Sequence, residues 1–132
     1  VFVIALIPLL LGVLVGWGGF LGWRERLPRD RGAGVRTAAT LRSDEAFRLG
    51  NRVAALPTMA GGAVAVLAAI AASVMPTSGG LIIATLVGLV GMVALVAVGG
   101  MLGHRAALTV AEQAAVPAGC SGCACGGCGA LA

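Results

Sequence analysis

"LIIATLVGLVGMVALVAVGGMLG", Leu81 to Gly103, contains no Asp, Glu, Lys, Arg or His. A helix needs roughly 20 apolar residues to cross about 30 Å of hydrocarbon, and this run is long enough. Two similar runs precede it: "VFVIALIPLLLGVLVGWGGFLGW", Val1 to Trp23, and "VAALPTMAGGAVAVLAAIAASV", Val53 to Val74. None shows the short alternating pattern of a barrel strand. Lipid cannot satisfy exposed backbone groups, so helices are the remaining solution. The expected fold is an all-α integral membrane protein with three transmembrane helices, at residues 1–23, 53–75 and 81–103. The first run is too long for a signal-peptide core of about 7–15 residues, and its charges follow it, so it reads as a true span.

Composition agrees. Of 132 residues, 59% are hydrophobic and 11% charged, with mean hydropathy +1.04. A soluble domain carries about 25% charged residues. The 22 glycines suit membrane helices, which use small residues for close packing. Candidate packing faces are Gly12 with Gly16, the ladder Gly61, Ala65, Ala69 and Ser73, and Gly99 with Gly103. Pro8 and Pro57 are candidate kinks.

The net charge is +4, and eight of the nine basic residues lie between Arg24 and Arg52. Arginines concentrated between two spans point to membrane topology rather than to nucleic acid. They predict that residues 24–52 are cytoplasmic, that the N-terminus is outside, and that residues 76–80 form a short external turn. Residues 104–132 then form a cytoplasmic tail, with His104 and Arg105 at the end of the third span. Trp17 and Trp23 suit the headgroup region.

Within the loop, "RERLPRDRGA", residues 24–33, reads as a basic link in which charge alone matters, to topology or to anionic lipid. Residues 40–52 are more ordered. Thr40 or Ser43 can cap a helix whose first turn holds Asp44 and Glu45. Asp44 and Arg48 are spaced to pair. Phe47 and Leu49 can touch the interface, and Leu49, Val53 and Leu56 continue at helical spacing into the second span. The segment is expected to be a cytoplasmic amphipathic helix that leads into the membrane.

"Gly34-Val35-Arg36-Thr37", then "Leu41-Arg42-Ser43-Asp44-Glu45-Ala46-Phe47", then "Asn51-Arg52" before a span, resembles the SdpI family. These are multi-helix bacterial membrane proteins, named for an immunity protein against a secreted toxic peptide. Phe47 stands where that pattern commonly has tryptophan. The resemblance implies a binding site at Gly34, Arg36, Thr37, Glu45, Phe47, Asn51 and Arg52; the other reading of the Gly34–Thr37 segment is a rigid loop that docks the amphipathic helix. Physically, Gly34 permits a tight turn. Arg36 can reach a helix-end carbonyl, a phosphate or a carboxylate such as Glu45. Arg36 is therefore expected to matter more than Arg29.

The chain ends "CSGCACGGCGALA", with Cys120, Cys123, Cys125 and Cys128 spaced C-x2-C-x-C-x2-C. In a reducing cytoplasm these thiols are candidates to chelate one zinc ion. The alternatives are a small-residue tail with reactive thiols, acylation near the bilayer or, with inverted topology, disulfides.

No pattern supports an enzyme. Glu25, Asp30, Asp44, Glu45 and Glu112 all lie outside the spans, and His104 reads as an interfacial residue rather than a general base. A proton-coupled pump needs ionisable groups within the membrane, and the spans have none. The resulting expectation is a bacterial cell-membrane protein that binds another membrane protein or a membrane-active peptide, in immunity or signalling. An accessory subunit of a larger membrane complex is the second reading. Metal handling or redox work through the cysteine tail is the third.

Overall fold

The computed structural model describes residues 2–115. It contains three long helices, each apolar enough to cross a membrane: α1, Phe2–Trp23; α2, Asp44–Ser73; and α3, Ser78–Ala115. No strand occurs among the described residues. The four cysteines expected to bind metal, Cys120, Cys123, Cys125 and Cys128, lie outside the described residues.

Helix α2 is the centre of the molecule. It packs along both α1 and α3, which barely touch each other. The packing is made of small residues. A Cβ on Gly62 would lie 2.6 Å from the Gly12 carbonyl oxygen and 2.7 Å from the Gly16 Cα, so α1 and α2 meet backbone to backbone. On the opposite side of α2, a Cβ on Gly103 would lie 2.5 Å from the Gly50 carbonyl oxygen. Gly61, Ala65 and Ala69 are buried as the ladder spacing predicts, whereas Ser73 is exposed and bonds the Ile70 carbonyl. Lipid tails are as apolar as leucine, so close van der Waals approach rather than hydrophobic burial holds such helices together. The large apolar side chains accordingly point outward: Leu14, Leu67, Val87 and Val90 are all exposed.

The helix ends follow from local chemistry. Ser43 is extended and accepts a hydrogen bond from the Ala46 amide at 3.1 Å, and Asp44 and Glu45 occupy the first turn of α2. Met75 and Pro76 end the run after α2. Thr77 then accepts from the Gly80 amide at 3.2 Å and opens α3. Pro8 and Pro57 sit inside α1 and α2.

The amphipathic segment forms the first turns of α2, continuous through Gly50 with the span, as its helical spacing suggested. One boundary differs from the sequence reading. Helix α3 does not stop near Gly103 but runs to Ala115, 38 residues in all, or about 57 Å at 1.5 Å per residue. Its last turns leave the apolar zone and carry Ala107, fully buried in a cluster with Ala39 and Ala46. The connection between α1 and α2 therefore folds down onto α3.

Candidate functional site

The connection from Arg24 to Ser43 has a continuous internal hydrogen-bond framework. It starts where α1 ends. The Glu25 amide donates to the Gly22 carbonyl at 3.1 Å, and the Arg26 amide to the Leu21 carbonyl at 3.0 Å. These paired bonds form a Schellman termination with Glu25 at its left-handed position, φ +54°. Glycine is usual there, because a Cβ is strained in that conformation. The side chain of Glu25 is what glycine lacks. One carboxylate oxygen accepts from Arg48 through Nε at 3.0 Å and through Nη2, and the other accepts from Arg52 Nη1 at 3.0 Å. Arg48, followed by Arg52, holds the Glu25 carboxyl below its ordinary value. Together with Glu45 and Leu49 these residues line an open cleft of about 490 Å³.

A short 3₁₀ turn, Arg29–Arg31, follows Pro28. Arg29 Nη1 pairs with Asp44 at 3.0 Å, and Arg29 Nη2 donates to the Leu41 carbonyl. The Arg29 carbonyl in turn accepts from Arg36 Nη1. The link expected to act by charge alone is thus braced across the loop. Asp44 pairs with Arg29 and Arg48 with Glu25, in place of the Asp44–Arg48 pair that the helical spacing suggested. Arg36 reaches a carbonyl, as one of its sequence readings allowed. Glu45 is exposed and takes no part in that bond.

The next layer is centred on two buried side chains, Asn51 and Thr40. Gly34 has φ +92°, and a Cβ there would lie 2.2 Å from Asn51 Oδ1. That oxygen accepts from the Val35 amide at 2.6 Å, while Asn51 Nδ2 donates to the Phe47 carbonyl at 2.9 Å. Asn51 is 5% exposed and works as an internal bracket between loop and helix. Thr40 is fully buried. Its hydroxyl donates toward the Val35 carbonyl at 2.9 Å and accepts from the Thr37 amide at 2.8 Å. Thr37 Oγ1 lies 2.9 Å from His104 Nδ1, which ties the loop to α3.

The family-like positions therefore separate into two groups. Gly34, Thr37, Phe47 and Asn51 build the frame. Arg36, Glu45 and Arg52 are exposed on it. Phe47, expected at the membrane interface, is instead 2% exposed. The sequence reading missed Glu25, Arg29 and His104 as frame members, and gave Thr40 a capping role that Ser43 alone performs. Their partners are distant in sequence: Glu25 to Arg52 spans 27 positions and Thr37 to His104 spans 67.

Among the described residues no group of three or more His, Cys, Asp or Glu side chains is placed to hold a metal. The sequence model of the SdpI/YfhL protein family matches residues 26–102, which takes in the loop from Arg26 onward, all of α2 and most of α3. No curated protein and no solved structure matches the chain.

Proposed function

Because the chain belongs to the SdpI/YfhL protein family, a family of non-enzymatic membrane proteins, we propose that it binds another membrane component, a protein or a membrane-active peptide. The contact is made through the arginine-bearing face of the braced loop. One observation carries this reading: the loop is hydrogen-bonded to α2 through Asn51 and to α3 through His104, yet Arg24, Arg26, Arg36 and Arg42 are exposed. A segment needed only for topology has no use for such a frame, whereas a rigid frame lowers the entropic cost of recognition. Arginine offers planar, directional donors to carboxylates and to carbonyls at helix ends. The arginine concentration supports placing this face in the cytoplasm of a bacterial cell, with the N-terminus outside. Immunity to a toxic peptide is the family-derived form of the proposal.

Purification in mild detergent tests it. Arg36→Ala removes one exposed guanidinium together with its bond to the Arg29 carbonyl, and leaves the Asn51 and Thr40 bonds in place. The variant should unfold at nearly the wild-type temperature while losing most of the co-purifying partner. Full partner retention by Arg36→Ala and by an Arg42→Ala, Arg36→Ala double variant contradicts the proposal. A deletion strain newly sensitive to a secreted membrane-active peptide supports the immunity form.

A further inference from the structure

A second cleft lies on the loop side of the molecule, within the apolar zone. It has a volume of about 400 Å³, within the range of small-molecule sites. Helices α1 and α3 form its walls and α2 its floor, with Leu27 and Val35 of the loop at one end. It exists because α1 and α3 diverge around α2 instead of packing together.

Two wall residues keep it open. A Cβ built on Gly18 or on Gly100 meets nothing within 4 Å. Gly12 and Gly103 of the same helices instead let a neighbouring backbone approach. At Gly18 and Gly100 glycine opens space and costs each helix roughly 1 kcal/mol relative to alanine. Hydrocarbon-lined space at bilayer depth forfeits dispersion contacts unless an apolar chain fills it.

Two further observations define the occupant. Asn51 lines the cleft and is 5% exposed. Its carboxamide has two N–H groups, and it makes one donor bond, to the Phe47 carbonyl. The other N–H is left for an acceptor that is not among the described residues. The loop beside the cleft is also rich in uncompensated positive charge. Its carboxylate pairs use Arg29, Arg48 and Arg52, whereas Arg24, Arg26, Arg36 and Arg42 have no carboxylate partner among the described residues. No arginine lines the cleft itself, but the loop that closes its end carries them. An apolar slot, a spare donor at its polar end and guanidinium groups on the adjoining loop match a hydrocarbon chain, an ester carbonyl and a phosphate in that order.

We propose that this cleft holds one acyl chain of an anionic phospholipid. The ester carbonyl faces Asn51, and the phosphate lies among the loop arginines. The lipid is then a structural component that seals α1 to α3 where the protein alone does not.

The test is native mass spectrometry of the whole protein in mild detergent, titrated with phosphatidylglycerol or with phosphatidylcholine of the same chains. Wild type should retain one phosphatidylglycerol per protein and release phosphatidylcholine readily. Gly18→Leu combined with Gly100→Leu fills the cleft. Phosphatidylglycerol retention should fall about tenfold, which is roughly the contribution of two buried methylenes. The two substitutions made singly keep the test open should the double variant not fold. Undiminished retention in the variants overturns the proposal, and so does equal retention of the two lipids by wild type. Loss of a co-purified polypeptide with lipid retention unchanged also overturns it and makes the cleft a helix-docking groove.

Discussion

Gly34 and Glu25 are two residues with left-handed backbone, and they occupy it for opposite reasons. At Gly34 the space is already taken: Asn51 Oδ1 lies where a Cβ would go. Gly34→Ala should therefore cost about 1–3 kcal/mol, through backbone strain and loss of the Val35–Asn51 bond. Thermal unfolding in detergent checks this, and an unchanged midpoint would show that the bracket contributes nothing. Glu25 accepts the same strain in order to place a carboxylate between Arg48 and Arg52. Its folded pKa is lowered, so its contribution is fully present above the ordinary value of 4.5. As pH falls below that value the unfolded chain takes up the proton first, and the contribution is gone once pH passes below the folded pKa. Glu25→Gln should therefore lower the unfolding midpoint at pH 7 and make little difference at strongly acid pH. A gap between variant and wild type that does not narrow on acidification would rule out the ion-pair origin. At this scale the sequence was half legible. Gly34 stood out because its neighbours Val35, Arg36 and Thr37 form a recognisable string. Glu25 did not, because its partners lie a helix end away.

At the scale of elements, what could be read was whatever repeats locally. The absence of charge located all three spans. The spacing of Gly61, Ala65 and Ala69 marked the face of α2 that is buried. The true length of α3 was not readable, since "HRAALTVAEQAA" is polar enough to pass for a tail. It is helical and docked because Ala107 finds Ala39 and Ala46, a contact that exists only once the loop has folded back. Leu49, Val53 and Leu56 form a regular stripe as expected, and it is exposed. One element carries an internal cost. Thr85 in α3 is 6% exposed, and its hydroxyl has no hydrogen-bond partner among the described residues. Thr85→Val keeps the shape and removes the orphaned group, so it should stabilise the protein by about 1 kcal/mol. A lower unfolding midpoint for this variant would contradict this.

As a whole, the molecule is a three-helix assembly in which α2 is gripped from both sides and one end is closed by a folded loop. The membrane half follows from composition and could hardly be otherwise. The loop half depends on three ties. Asn51 joins the loop to α2, His104 joins it to α3, and Glu25 joins the end of α1 to the start of α2. The loop arginines then stand on a fixed frame, which is the basis for reading this face as a recognition surface. Amide hydrogen exchange at Val35, in protein reconstituted into lipid nanodiscs, tests that frame most directly, because the Val35 N–H is the group that Asn51 holds. The account predicts strong protection in the wild type and near-complete loss of it in Asn51→Ala, with the exchange of amides in the middle of α1 unchanged. Rapid exchange of Val35 in the wild type, at the rate of an open loop, would contradict it.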